Sequence, residues 1–152
     1  MSQNTLTIGE EVPNFTLKNP LGKEVSLSDF RGKMVVLYFY PKDHTPGCTK
    51  EACLFRDSYE DFQEVGAEVI GISSDSEKSH QGFQEKHELP FILLTDKGGK
   101  VRKLFGIKKT LGFIPGRETF IINKKGVLLH RFNSLTNVHQ HIEEALTFLK
   151  KS

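Results

Sequence analysis

The sequence predicts an α/β protein with a central mixed sheet and helices on both of its faces. Three observations carry that expectation. Two uninterrupted apolar runs, MVVLYFY (34–40) and AEVIGIS (67–73), have the β-branched and aromatic content of strands buried on both sides. Segments with helical spacing of apolar residues alternate with the strand-like runs. Near the end, ETFIINKKGVLLHRF (118–132) reads as two strands joined by an Asn-Lys-Lys-Gly turn, a hairpin. At 152 residues the chain is expected to form one domain over 1–152, long enough to bury roughly two-thirds of its unfolded surface.

The elements follow in order. Val12 to Leu17 alternates weakly and reads as a short edge strand. SLSDFRGK (26–33) reads as a turn or one-turn helix ended by Gly32, and the strand 34–40 comes next. A helix is expected to start near Pro46–Cys48 and to run to Gly66, with Ala52, Phe55, Tyr59 and Phe62 as its buried stripe. After the strand 67–73, a helix from Ser76 to His87 stops ahead of Pro90, and FILLT (91–95) is a third central strand. KVRKLFG (100–106) suggests a short helix. Past the hairpin, Asn137 is placed to cap a final helix with apolar positions Ile142, Ala145, Leu146 and Leu149. The order β-α-β-α-β-(α)-β-β-α is that of a thioredoxin-like fold with an extra helical turn in the middle.

Composition narrows the function. Apolar residues make up 37% and charged residues 26%, ordinary for a soluble globular protein. Lys and Arg number 21 against 19 Asp and Glu, a formal charge of +2, and the lysine pairs 108/109, 124/125 and 150/151 are scattered. A nucleic-acid partner is therefore not expected, since such proteins gather their basic residues on one face. The opening MSQNTLTIGEEVPNF has no basic stretch followed by an apolar one, so no secretory signal is expected. No run approaches the ~18 apolar residues of a membrane span. The expected location is the cytoplasm, where thiols stay reduced and a disulfide is usually transient or catalytic. With no extra apolar patch in view, a monomer is expected.

Both cysteines of the chain close the stretch YFYPKDHTPGCTKEAC (38–53), at positions 48 and 53. In an α/β sheet the catalytic crevice lies at the carboxyl ends of the strands. KDHTPGC falls there, with Cys48 in the first turn of the next helix. Unpaired N–H groups and the positive end of the helix dipole favour a reactive thiolate at such a place. On the helical wheel Cys48 joins the buried stripe, whereas Cys53 lies about 150° from its centre, beside Thr49, Asp57 and Glu60. Five residues of ideal helix put the two Cα atoms roughly 8.7 Å apart, beyond the ~7 Å that a disulfide spans. Cys53 is then either an incidental surface thiol or one that reaches Cys48 once the first turns unwind. Thr45-Pro46-Gly47-Cys48 is T-x-x-C where a dithiol oxidoreductase has C-x-x-C. It keeps a hydroxyl beside the thiol.

Pro41-x-x-x-Thr45-x-x-Cys48 resembles the active-site signature of peroxiredoxins. YFYPKDHTPGCTKEACLFRD is similar to the bacterioferritin-comigratory-protein, or peroxiredoxin Q, subfamily. VPNFTL, LSDFRGK and RETFIINKKG extend the likeness over nearly the whole chain. The resemblance implies a thiol-dependent peroxidase that reduces hydrogen peroxide and organic hydroperoxides. Cys48 would attack the O–O bond and become a sulfenic acid. Thr45 would hydrogen-bond the peroxide, Arg117 would stabilise the thiolate and polarise the substrate, and Pro41 would shield the site from water. Cys53 matches the resolving cysteine of members with a C-x4-C pair in one helix, which form an intramolecular disulfide. A thioredoxin or glutaredoxin-like reductant would recycle it. No metal or organic cofactor is implied. One departure is Glu118, where the family more often has a small or neutral residue; paired with Arg117, it would weaken that arginine's help to Cys48. His44 varies in the family and is given no role.

Other readings have less behind them. His44, Cys48 and Cys53 are too few and too widely spaced for a structural zinc site. No C-x5-R phosphatase loop starts at either cysteine. His80, His87, His130, His139 and His141 read as surface or helix residues rather than ligands. A peroxide sensor or redox-regulated chaperone using the same disulfide remains the alternative from another class. Turnover separates it from a peroxidase.

Overall fold

The computed structural model describes residues 6–107, 109 and 116–151; the N-terminal residues 1–5 and Lys108 of the first lysine pair lie outside them. Seven strands form one mixed sheet in the order β2-β1-β5-β4-β3-β6-β7. The strands are β1 (Thr16–Lys18), β2 (Glu24–Ser26), β3 (Met34–Phe39), β4 (Ala67–Ser73), β5 (Ile92–Thr95), β6 (Glu118–Ile122) and β7 (Leu128–Asn133). The helices are α1 (Pro46–Asp57), α2 (Tyr59–Glu64), α3 (Glu77–His87), α4 (Lys100–Leu104) and α5 (Val138–Lys151).

The two apolar runs pair in parallel at the centre, from Met34 opposite Ala67 to Phe39 opposite Ile72. Antiparallel β6 flanks β3 on the other side, with Tyr38 opposite Thr119 and Phe39 opposite Glu118. Because successive side chains of a strand point to opposite faces, β3 feeds two cores. Val36, Tyr38 and the following Tyr40 pack with residues of α1, α2, α3 and α5, among them Cys48, Phe55, Phe62, Phe83 and Ala145. Val35, Leu37 and Phe39 pack on the opposite face with Leu27, Val101 and Phe105. Each fully buried side chain of this size contributes about 1.5–3 kcal/mol relative to exposure. Tyr38 fits its face because its ring tip lies over Gly71, where a Cβ would come within 2.9 Å of it.

The ends of the elements follow local chemistry. Ser76 Oγ accepts from Ser79 N at 3.1 Å and caps α3. Asn137 Oδ1 accepts from Gln140 N at 3.4 Å at the start of α5. In the hairpin turn, Asn123 Oδ1 accepts from the backbone N–H groups of Lys125 and Val127, each at 2.9 Å, and Gly126 takes φ 86°.

The structure differs from the sequence expectation at two places. The helix expected from 46 to 66 is two helices, divided at Ser58 with φ −102° and ψ 5°. An apolar stripe continues across the break, so periodicity alone does not reveal it. The expected strand 12–17 contributes only its last residues to β1, which lies inside the edge strand β2. β2 is only three residues long, too short to leave a period-two signal. His80 and His141 lie on helices α3 and α5, one of the two placements expected for them, and are completely buried there. Among the described residues, no helix is long and apolar enough to cross a membrane.

Candidate active site

β3 and the residues after it deliver the site. Tyr40 follows the strand, Pro41 is half-buried at the loop start, and Thr45 occupies the N-cap of α1 with extended backbone, φ −84° and ψ 151°. Pro46 at the first helical position has a preset φ and no N–H to leave unpaired. The first intrahelical bond runs from Thr49 N to Thr45 O at 2.8 Å, which leaves the N–H groups of Gly47 and Cys48 at the open end of the helix. Thr45 Oγ1 donates to Lys42 O at 2.8 Å, so its lone pairs remain available as acceptors. His44 takes a positive φ of 64° and is exposed, with its ring 5.1 Å from that of Phe83.

Cys48 is 2% exposed and packs in the core beneath the loop. Arg117, 69 residues further along, donates from Nη2 to Cys48 Sγ at 3.4 Å. A guanidinium in that position favours a negatively charged sulfur. Gly47 allows this approach, since a Cβ there would stand 3.2 Å from Arg117 Nη2. The arginine is held by two further bonds, from Nε to Leu135 O at 2.9 Å and from Nη1 to Glu51 Oε1. Burial works against its charge, but Glu51 and Cys48 outweigh this and raise its pKa.

Glu51 is the residue that sequence reasoning missed. It lies one turn after Cys48 and one turn before Phe55, at the edge of the apolar stripe of α1, which is the signal for its burial, and it is fully buried. Burial pushes its carboxyl up to about 7, although Arg117 pulls the other way. Glu118, the acid that the sequence offers as a partner for Arg117, does not take that place. Adjacent strand residues point to opposite faces, so Glu118 turns away. It accepts from Arg131 Nε at 2.5 Å and from Asn133 Nδ2 at 3.2 Å.

Cys53 sits further along α1, but it is half-buried rather than exposed. The wheel allows for one packed face only. Arg56 interacts electrostatically with Cys53 and bridges to the end of α3 by donating from Nη1 to His87 O at 2.8 Å, so the flank carrying Cys53 has a neighbour. Both thiols are free while the helix is intact over 46–57.

A second buried cluster supports the loop. Asp43 accepts from Tyr40 Oη at 2.6 Å and Ser79 Oγ at 2.9 Å, and pairs with His80 Nδ1 at 2.7 Å. Burial pushes Asp43 up, but His80 and the two hydroxyls more than offset it, and its carboxyl lies below the ordinary value. His80 Nε2 donates to Leu94 O at 3.1 Å. Asp75 Oδ2 accepts from Asp43 N at 2.7 Å and Ser73 Oγ at 2.6 Å. Asp43, Asp75 and His80 place possible ligand atoms within 4.8 Å of one another, yet both nitrogens of His80 are already engaged. The cluster reads as a hydrogen-bonded anchor.

The fold is matched by known proteins. Residues 8–131 fit the AhpC/TSA family. The chain belongs to that family. Its relatives place it in the peroxiredoxin Q branch. It is 53% identical over 146 residues to the chloroplastic peroxiredoxin Q of Sedum lineare, covering 95% of this chain and 78% of that one. To the chloroplastic peroxiredoxin Q of Triticum aestivum it is 54% identical over 143 residues, 93% of this chain and 66% of the wheat protein. Among solved structures, peroxidoxin BcpB from Mycobacterium tuberculosis superposes with a TM-score of 0.89 at 37% identity, covering 96% of this chain and 97% of that one. A mutant PrxQ from Xylella fastidiosa gives 0.89 at 33% identity, covering 96% of each. The protein is a thiol-dependent peroxidase of the thioredoxin-like fold, acting on peroxides with a thiol reductant.

Proposed function

We propose that Cys48 is the peroxidatic cysteine and Cys53 the resolving one, in a single-domain, monomeric enzyme over 1–152 that needs no metal or organic cofactor. The observation that carries this reading is the hydrogen bond from Arg117 Nη2 to a buried sulfur at the start of α1. The Cys48 thiolate attacks the terminal peroxide oxygen in line; the S–O bond forms, the O–O bond breaks, and the departing oxygen leaves with the electron pair and takes up a proton. Thr45, whose own proton is directed to Lys42 O, accepts from the peroxide O–H. Arg117 and the free N–H groups of the first turn stabilise charge as it spreads over both oxygens. Pro41 shields the reacting sulfur from water, which keeps these bonds strong.

Cys53 then attacks the sulfenic sulfur, giving a disulfide and water and diverting Cys48 from irreversible over-oxidation. The ideal-helix distance of roughly 8.7 Å requires α1 to open first. A thioredoxin or glutaredoxin-like dithiol supplies the two electrons that restore the thiols. The cytoplasm, where thiols are kept reduced, suits this cycle; the Sedum and wheat relatives are themselves named chloroplastic. A structure from Xanthomonas campestris, 31% identical with a TM-score of 0.82, is described as bearing on alkyl peroxide reduction by its bacterioferritin comigratory protein. That supports organic hydroperoxides beside hydrogen peroxide as substrates.

A thioredoxin-coupled peroxide assay tests the assignment. Cys48→Ser is expected to abolish turnover. Cys53→Ser is expected to keep one round of oxidation and lose recycling. Mass spectrometry after one equivalent of peroxide is expected to find a Cys48–Cys53 crosslink inside one chain. Turnover by Cys48→Ser, or a crosslinked dimer, sinks the reading.

A further inference from the structure

One guanidinium serves two acids in this site. Arg117 faces Cys48 through Nη2 and Glu51 through Nη1, and Glu51 is fully buried beside a sulfur that is 2% exposed. Two full negative charges against one cation in a dry pocket leave one uncompensated, and uncompensated buried charge is costly. Among the described residues, no other group neutralises Glu51, and its Oε2 has no hydrogen-bond partner. From α5, His141 Nδ1 stands 3.8 Å from that oxygen, but His141 is held near 4 by burial. Its Nε2 gives a proton to Ser134 O at 2.7 Å, which leaves Nδ1 to accept from Thr119 Oγ1 at 2.7 Å. From β3, Tyr38 Oη is also buried without a partner among the described residues, and burial, Glu51 and Cys48 all push its pKa up. From α4, Arg102 acts on Cys48, but it answers to Asp96 as well and spends its donors on the carbonyls of Gly116 and Tyr40.

We propose that Glu51 carries a proton while Cys48 is a thiolate and releases it when Cys48 is oxidised, so that the charge facing Arg117 is the same before and after reaction. This rests on Cys48 being the peroxidatic cysteine. Before the step the pair holds a thiolate and a carboxylic acid; afterwards it holds a neutral sulfenic acid and a carboxylate. Sulfur gives two electrons to the O–O bond and gains the hydroxyl. The departing oxygen takes one proton, and Glu51 loses one. Charge and protons therefore balance within the site, with no net uptake from solvent. Glu51 does not touch the substrate. It is a positioning residue that acts through Arg117, leaving the cation's full field to the sulfur while the thiolate waits and supplying a replacement anion once the thiolate is gone. The carboxyl value of about 7 agrees with a proton held in this way near neutrality.

The test counts protons. Reduced Cys53→Ser protein, with and without the further change Glu51→Gln, receives one equivalent of hydrogen peroxide in weakly buffered solution with an indicator dye. The pH is set where ultraviolet absorbance shows Cys48 ionised in both. The expected uptake is near zero with Glu51 present, and about one proton per Cys48 oxidised once Glu51→Gln has removed the carboxyl. Equal uptake by the two proteins overturns the proposal. Should Glu51→Gln fail to fold, infrared difference spectra of the parent protein decide: a protonated carboxyl stretch must be present before peroxide and vanish after it. Its absence from the reduced protein overturns the proposal, even where mass spectrometry shows Cys48 oxidised. Failure of Cys48 to be oxidised at all overturns the peroxidatic assignment and this inference with it.

Discussion

Two buried ionic clusters flank the first turn of α1, and they are finished to different degrees. Around Asp43, both carboxylate oxygens are taken by Tyr40, Ser79 and His80, and His80 spends its remaining nitrogen on Leu94 O. Around Arg117, Glu51 Oε2 and the nearby Tyr38 Oη have no partner among the described residues. A fully satisfied network fixes one geometry, because breaking any member leaves a buried polar group unpaired. A cluster with a spare acceptor and a shared cation can change its charge without losing its bonds. The first is suited to holding the loop; under the proposed assignment, the second is suited to a reaction that changes charge.

That contrast can be broken by mutation. The largest expected effect is at Arg117. Arg117→Met removes the cation common to both acids, and kcat/KM for peroxide is expected to fall by roughly 10²–10³-fold, as when a charge-stabilising donor is lost. A fall of less than about tenfold in a steady-state assay would separate Arg117 from the chemistry. Next comes Asp43→Asn, which disturbs the anchor. It is expected to cost about 2–3 kcal/mol in urea unfolding, the range for breaking a buried charged hydrogen-bond group, while kcat/KM drops much less than for Arg117. A rate loss as large as that of Arg117→Met would erase the distinction between the two clusters.

A pH series sharpens the comparison. The Glu51 carboxyl is raised from 4.5 to about 7, so the folded state holds its proton more tightly than the unfolded one. Its contribution is complete below about 4.5 and is lost as pH rises towards 7. His141 is lowered from 6.5 to about 4, so it contributes stability above 6.5 that is lost as pH falls towards 4. Glu51→Gln removes only the first slope. Relative to the parent, the variant's urea midpoint is therefore expected to improve steadily from about pH 4.5 to about pH 7. The opposite trend would mean that Glu51 is held ionised.

The smallest effect on rate is expected at Glu118, whose partners are Arg131 and Asn133 rather than Arg117. Glu118→Gln is expected to cost about 1.5–3 kcal/mol, as when a buried charged hydrogen-bond acceptor is lost, and to leave kcat/KM within about twofold. A larger change in rate would restore the Glu118–Arg117 link that the structure removes.

Much of the scaffold is legible from local chemistry. β4 begins and ends where AEVIGIS does, Asn137 stands where a cap is expected, and Cys48 falls in the first turn of α1. These features depend on neighbours a few residues apart, and sequence displays those directly. The break at Ser58 and the three-residue β2 are not legible, the first because the apolar stripe runs through it and the second because it is too short for a period.

Charge is the other blind spot. Glu51 falls at the edge of the apolar stripe of α1, but the cation that answers it is hidden until Arg117, 66 residues away, is brought against it. His80 and His141 read only as helix or surface positions until Asp43, Leu94, Thr119 and Ser134 close around them. Periodicity, caps and helix dipoles act over a few residues, so the main strands and helices, and the thiol that opens α1, are written in the chain itself. The choice of Glu51 over Glu118 as the acid that shares Arg117 with Cys48 is not. A buried charge is set by whatever the fold packs against it, and here those groups come from α1, the residue before β6 and α5 together.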